Sequence, residues 1–105
     1  MKIYELVVYV PATHSEKVKS ALFAAGAGKL GNYDCCCFSV PGTGEFRPLA
    51  GSRPFAGRAG VAAKVPEVRL EMICREEVLR GVLDALKQAH PYETPAFHFF
   101  AVETA

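Results

Sequence analysis

Hydrophobic and polar residues alternate along several stretches of the chain with the period of two that strands show. Residues 2–10 place Leu6, Val8 and Val10 on one side and Glu5 and Tyr9 on the other, a pattern typical of a half-buried strand. The same alternation extends over residues 65–74, and residues 33–40 are rich in β-prone side chains up to a proline. With residues 96–103, the pattern predicts four strands.

Two further stretches carry apolar residues at helical spacing. Thr13 stands three residues before Glu16, which is the capping-box spacing, and the helix that follows is expected to end at Gly26. Glu76 and Glu77 favour the start of a second helix because acidic side chains stabilise the positive end of the helix dipole. The apolar stripes consist of Val18, Ala21, Leu22 and Ala25 in the first helix and Val78, Val82, Leu86 and Ala89 in the second.

The element order is therefore βαββαβ. It packs most simply as an α+β fold of the ferredoxin-like kind, with a four-stranded antiparallel sheet and both helices on one of its faces. We expect a single domain over residues 1–105. The other sheet face mixes charged with apolar residues and is either an ordinary solvated face or a surface that meets a partner. Its residues are Glu5, Val7, Tyr9, Glu67, Arg69, Glu71 and Ile73.

Charge and hydropathy narrow the classes of partner. A formal net charge of +1 and a pI near 7.7 do not indicate the basic surface of a nucleic-acid-binding protein. No run of like charges indicates a patch that would bind a membrane surface. No apolar run approaches the roughly 20 residues that span a bilayer, and the N-terminus is typical of a strand rather than a signal peptide. The expected compartment is the cytoplasm.

Three of the four cysteines are consecutive. In the predicted strand Cys35 and Cys37 would share one face while Cys36 takes the other. As small hydrophobic residues they would fill space in the core, or Cys35 and Cys37 with a histidine would hold zinc or copper, although the spacing is unlike ordinary zinc modules. A thiol enzyme ranks last, because no local signature of a nucleophile and its base is present.

Residues 41–63 form a segment that is too long for a hairpin loop and too poor in periodic apolar residues for a helix or strand. Long loops in compact domains are usually functional or disordered. Its glycines and the guanidiniums of Arg47, Arg53 and Arg58 could together receive an anion. Alternatively the loop packs on itself through Phe46 and Phe55.

Residues 89–98 hold His90, Tyr92 and Glu93 in a corner stiffened by Pro91 and Pro95. Pro91 cannot continue the preceding helix, so the corner leads from a helix into a strand. One interpretation is a purely structural corner, and the other is a site that presents three functional groups. A histidine next to a helix C-terminus is expected to favour its charged form.

Three motifs in order, at residues 42–57, 67–71 and 89–96, resemble the YqfO-type domain. This domain occurs inserted in many bacterial members of the NGG-interacting-factor-three-like family, and here we expect it to stand alone. The resemblance covers nearly the whole chain and implies the fold of the CutA and PII proteins, whose subunits commonly form trimers. CutA proteins carry a similar His-Pro-Tyr-Glu-x-Pro corner before their last strand.

The resemblance implies a homotrimeric module rather than an enzyme, because the two-metal centre of the larger family members belongs to a flanking domain. Such a module would bind a small ligand, by the loop's charge an anion, or a protein partner, in a regulatory or sensing role without a cofactor. By analogy with PII, the candidate ligand-binding residues are Arg47, Arg53, His90, Tyr92 and Glu93. The alternative is a copper- or zinc-binding metal-tolerance protein like CutA, with His90 and Glu93 or the cysteines as ligands.

Overall fold

Four strands and two helices alternate in the predicted order βαββαβ in the computed structural model, which describes residues 2–104. A short 3-10 helix, Ala12–His14, joins the first strand to the first helix. The elements are β1 (Ile3–Pro11), α1 (Ser15–Ala24), β2 (Phe38–Phe46), β3 (Ala63–Arg75), α2 (Glu76–Ala89) and β4 (Ala96–Val102).

The strands form one sheet in the order β2-β3-β1-β4, and every neighbouring pair is antiparallel. The predicted alternation is confirmed, because Leu6, Val8 and Val10 are fully buried on one sheet face. They form a single hydrophobic cluster with the buried residues of both helices, so the two helices cover the same face. The buried helix residues are Val18 and Leu22 of α1 and Val82 and Leu86 of α2. The fold is the ferredoxin-like arrangement predicted from the sequence.

The second strand lies further along the chain than predicted. It spans Phe38–Phe46 instead of residues 33–40, and it passes through Pro41, which pairs with Val68 of β3. Proline is tolerated because β2 is an edge strand and needs hydrogen bonds on one side only. The connecting loop is therefore residues 47–62, and the first part of the predicted loop is strand.

The three consecutive cysteines precede this strand instead of lying in it. Cys35 is exposed and adopts a left-handed backbone conformation with φ of 54°. The prediction that Cys35 and Cys37 share a strand face is wrong, because β2 begins only at Phe38. Cys74 does fill space in the core, where it is 1% exposed.

The first helix begins without the predicted capping box. Thr13 Oγ1 lies 2.8 Å from His14 Nδ1, and no side chain caps the helix start at His14. Thr13 lies inside the 3-10 turn that follows Pro11, one residue before the N-cap residue His14. Beyond Ala24 the chain turns through Gly26, whose φ of 112° is a conformation that glycine adopts without strain.

The sheet face opposite the helices, which we call the open face, carries the predicted mixture of residues. The register places Phe38 of β2 and Phe100 of β4 on it as well, and these two rings are 64% and 47% exposed. Val7, at its centre, is only 4% exposed, and Arg69 Nε lies 3.2 Å from Glu71 Oε2. Within residues 2–104, neither helix combines the length and the hydropathy that crossing a membrane requires.

Candidate functional site

The corner between α2 and β4 forms as the prolines predict. Helix α2 ends at Ala89, and the amide of His90 donates to Leu86 O at 2.9 Å as the last helical bond. Pro91 follows directly and has no N–H to continue the helix. The chain then turns through Tyr92 and Glu93 into β4, so both side chains leave a rigid backbone.

His90 is a buried structural residue whose two ring nitrogens both hold backbone groups. It is 5% exposed; its Nε2 lies 2.7 Å from the carbonyl oxygen of Tyr9, and its Nδ1 accepts from the Tyr92 amide at 3.1 Å. A carbonyl only accepts and an amide only donates, so these partners select the neutral ring with the proton on Nε2. Burial lowers the pKa of His90, although the bond to Tyr9 and the Glu67 charge oppose this change. The prediction that His90 favours its charged form is wrong.

The lowered pKa of His90 predicts that the protein loses stability in mild acid. Below its ordinary pKa of 6.5, the unfolded chain binds a proton at His90 that the folded chain does not yet bind. The stability from the neutral ring is therefore present above pH 6.5 and is lost as the pH falls through the lowered pKa. We expect urea unfolding at pH 7.5 and pH 5.5 to show a larger drop for the wild type than for His90→Gln, which does not titrate.

Tyr92 connects the corner to the sheet. Its hydroxyl donates to Glu67 Oε2 of β3 at 2.7 Å, and its ring lies 5.7 Å from that of Phe46 and 6.1 Å from that of Phe55. Burial and the hydrogen bond to the Glu67 carboxylate raise the pKa of Tyr92 far above its ordinary value. Tyr92 therefore stays a neutral hydrogen-bond donor over the whole physiological pH range.

Glu67 keeps its position because residue 44 of the neighbouring strand has no side chain. A Cβ at Gly44 would overlap the carboxylate of Glu67, whose atoms are the three nearest to that position. The Glu67 side chain lies across the space that Gly44 leaves, which directs its carboxylate to the Tyr92 hydroxyl. An alanine at position 44 would displace this carboxylate by moving the free end of a flexible side chain.

The 47–62 loop folds back against the corner. Its Pro48 is buried and accepts from the Gly60 amide at 2.8 Å, which closes the loop on itself. The Arg53 amide donates to Glu93 Oε2 at 3.0 Å and so joins the loop to the corner. The ring of Phe55 reaches Tyr92 from the same side. The sequence-based alternative was that the loop packs on itself through Phe46 and Phe55, but the ring of each contacts Tyr92 of the corner.

Between the loop, the corner and the ends of β2 and β3 lies a cavity of about 260 Å³. Its lining is mostly apolar and aromatic, with three carboxylates and two hydroxyl-bearing side chains besides Tyr92. The lining residues are Glu45, Phe46, Pro48, Ser52, Pro54, Phe55, Glu67, Tyr92, Glu93, Thr94 and Ala96. We call this the loop–corner cavity. A concave, largely apolar space with a few convergent polar groups is typical of small-molecule sites.

The five candidate residues have different positions relative to this cavity. Tyr92 and Glu93 line it, and Arg53 contributes a backbone amide to its rim. Arg47 is exposed and does not line it, and His90 lies behind Tyr92 with ring centroids 5.0 Å apart. An anionic ligand was expected because the loop arginines could bind it through their guanidiniums. The cavity lining contains no arginine.

Nine of the eleven lining residues were not predicted as site residues, among them Glu45, Phe46, Phe55 and Glu67. The two phenylalanines stand in a glycine-rich segment, where a bulky aromatic side chain is itself a signal. Glu67 and Glu45 join the cavity only through the pairing of β2 with β3, in which Gly42 lies opposite Glu67. That pairing has no local sequence signature.

The described residues, 2–104, contain no group of three or more His, Cys, Asp or Glu side chains placed to hold a metal ion. The set of Cys35, Cys37 and a histidine is therefore not assembled within one chain. His90 also has both ring nitrogens engaged with backbone groups. A metal would have to displace one of those bonds to bind it.

Solved structures of CutA proteins share this fold. CutA from Xylella fastidiosa superposes with a TM-score of 0.71 at 16% identity, covering 100% of this chain and 88% of that one. The periplasmic divalent cation tolerance protein CutA from Archaeoglobus fulgidus gives a TM-score of 0.67 at 19% identity, covering 98% of this chain and 86% of that one. At these identities the likeness shows the fold alone, and the chain is a small domain with the CutA-like fold.

Closer relatives are much longer proteins. The GTP cyclohydrolase 1 type 2 homologs of Halalkalibacterium halodurans and Bacillus subtilis are each 44% identical, over 93% and 94% of this chain and 26% of their own length. A Bacillus cereus protein related to NIF3 has a TM-score of 0.84 and 41% identity, over 98% of this chain and 26% of that one. No protein-family model matches the sequence.

The chain therefore belongs to the NGG-interacting-factor-three-like family, as the YqfO-type domain identified from its motifs. It spans about a quarter of the length of the curated relatives that it matches.

Proposed function

We propose that this domain is a homotrimeric, non-enzymatic module that binds a small ligand in the loop–corner cavity, in a sensing or regulatory role. The observation that carries the proposal is the cavity itself, formed where the glycine-rich loop meets the proline corner. Two tertiary hydrogen bonds hold its walls, from Arg53 N–H to Glu93 and from Tyr92 to Glu67. Such a preorganised space loses little entropy when a ligand enters.

The groups around the cavity favour binding over catalysis. His90 holds a backbone carbonyl and a backbone amide with its two nitrogens, so neither nitrogen is free to act as a base. Tyr92 keeps its proton because its pKa is raised. The cyclohydrolase activity in the name of the relatives is not carried over, because the chain spans only 26% of those proteins.

The open face supports the trimer. In a single chain it exposes the rings of Phe38 and Phe100 beside the buried Val7 and the ion pair of Arg69 and Glu71. Apolar rings set among charged side chains at a surface are typical of a protein–protein interface. The CutA-like resemblance makes a second and a third copy of the chain the partners that would cover this face.

A cytoplasmic location completes the proposal. All four cysteines are free in the described structure, and Cys35 is exposed. Reduced, exposed thiols are what a cytoplasmic protein is expected to keep. The cavity would then be accessible to cytoplasmic metabolites.

A thermal-shift screen with a matched variant tests the proposed site. The compounds are small metabolites in three groups of comparable size, which are cationic, neutral and anionic. Gly44→Ala is the variant, because its new Cβ displaces the Glu67 carboxylate and removes the partner of the Tyr92 hydroxyl. We expect at least one compound to raise the melting temperature of the wild type and to lose most of that effect on Gly44→Ala.

Gly81→Ala is the control, because position 81 of α2 is exposed and has no atom within 4 Å of a new Cβ. It should respond to the compound as the wild type does. A screen without any shift, or an equal shift for Gly44→Ala and the wild type, would contradict the site.

A further inference from the structure

The charged side chains that line the loop–corner cavity are all of one sign. Glu45, Glu67 and Glu93 line it, and its described lining contains no lysine, arginine or histidine. Lys64 is the cross-strand partner of Glu45, whereas the cross-strand partners of Glu67 are Pro11 and Gly42. Glu67 and Glu93 therefore give the cavity its negative potential.

Both of these carboxylates are fixed in direction and keep capacity for a ligand. Each uses Oε2 for a hydrogen bond within the protein, Glu67 from the Tyr92 hydroxyl and Glu93 from the Arg53 amide. A carboxylate has two oxygens that together accept about four hydrogen bonds. One bond each therefore orients the two groups without saturating them.

Three of the remaining lining residues are aromatic, and the others are two prolines, an alanine, a serine and a threonine. The ring of Tyr92 stands between those of Phe46 and Phe55, at interplanar angles of 63° and 51°. At these angles the rings are inclined to one another instead of stacked, and all three line the cavity. Phe55 also contacts the ring of His14, with centroids 5.1 Å apart. The negative face of an aromatic ring attracts a cation that lies within about 6 Å of the ring centre.

We propose that the ligand of this cavity is an organic ammonium cation, held by the rings of Phe46, Phe55 and Tyr92 and neutralised by Glu67 and Glu93. The inference rests on the proposed function and names the chemical class of its ligand. Aromatic rings and carboxylates around one space are the combination that recognises substituted ammonium groups.

The same walls disfavour the other two classes of charged ligand. An anion would lie among carboxylates, and no arginine belongs to the described lining. Arg69 borders only the adjoining hollow that shares Glu45 and Glu67 with this cavity. An inorganic divalent cation needs several oxygen ligands close together. The described residues form no such group of three, and the aromatic walls offer it no ligand.

Choline and its uncharged isostere, 3,3-dimethyl-1-butanol, are the probes that test this inference. They have the same shape and differ in one positive charge, so the ratio of their dissociation constants isolates the effect of that charge. Isothermal titration calorimetry of the wild-type protein should give a dissociation constant for choline that is lower by about tenfold, as expected for a partly desolvated cation on aromatic rings.

Two variants separate the charge from the aromatic wall. Glu93→Gln keeps the shape and the acceptor for the Arg53 amide but removes a charge. It should therefore weaken the binding of choline several-fold and leave the affinity for the isostere unchanged. Phe55→Leu keeps an apolar wall and should likewise weaken the binding of choline more than that of the isostere. Asp84→Asn, an equal loss of charge on the exposed side of α2, should affect neither probe.

The outcomes distinguish this inference from the proposed function. Equal affinity for choline and the isostere, or an affinity for choline that Glu93→Gln leaves intact, would overturn the cation assignment. If neither probe binds while a neutral or anionic metabolite gives a shift that Gly44→Ala abolishes, the cavity is a ligand site but not one for ammonium. If no compound of any class binds, both the inference and the proposed ligand site fail.

Discussion

Replacing Phe100 by glutamate is expected to convert the proposed trimer into monomers. Phe100 lies on the open face of edge strand β4, directly opposite Glu5 of β1, and is 47% exposed in the single chain. A carboxylate at position 100 should change the stability of the isolated chain little, because water still solvates it. In a trimer that covers the open face, the new charge would be buried beside an acidic neighbour, which is strongly unfavourable.

Light scattering coupled to gel filtration measures this change. The wild type should give three times the 11.4 kDa of one chain, and Phe100→Glu should give the mass of one chain at the same concentration. Leu49→Glu, a comparable change at an exposed position of the loop, should leave the trimer intact. A wild type that runs as a monomer at micromolar concentration would contradict the trimer.

Replacing His90 by leucine is expected to destabilise the fold by about 2–5 kcal/mol, because two partly buried backbone groups lose their partners at once. The carbonyl of Tyr9 would lose its donor and the amide of Tyr92 its acceptor, while the volume of the side chain changes little. Urea unfolding at pH 7.5, followed by circular dichroism, gives the free energy of unfolding for this comparison.

The matched variant is His90→Gln, whose amide group can still donate towards Tyr9 O. It should lose less stability than His90→Leu and should bind any cavity ligand more tightly than His90→Leu does, since Tyr92 depends on the His90 ring for its position. If His90→Leu is as stable as the wild type, His90 does not hold the corner in the way described.

The helices and strands that bury one face and expose the other were predictable from the sequence. Strands β1 and β3 alternate because one face covers the core, and α2 carries an apolar stripe for the same reason. Strand β2 was displaced in the prediction because it is an edge strand that contains Pro41, Gly42 and Gly44 and buries little. Its position is set by backbone pairing with β3, which leaves no hydrophobic pattern in the sequence.

The candidate site was predictable in part for a related reason. Tyr92 and Glu93 stand between two prolines, and a rigid backbone that carries polar groups is visible in the sequence alone. The contribution of Glu67 depends on the register of two strands and on the space at Gly44, which are tertiary features. The charge state of His90 was mispredicted because its burial outweighs the nearby helix end, and burial is also set by the tertiary fold.

Mapping a bound compound by amide NMR tests the central claim, that the loop and the corner together form the ligand site. The titration uses ¹⁵N-labelled protein and the compound with the largest thermal shift in the screen. The account predicts that shift changes concentrate at the amides of Phe46, Arg53, Phe55, Tyr92 and Glu93 and are lost in Gly44→Ala. Changes confined to the open face, or to the outer surfaces of α1 and α2, would contradict it.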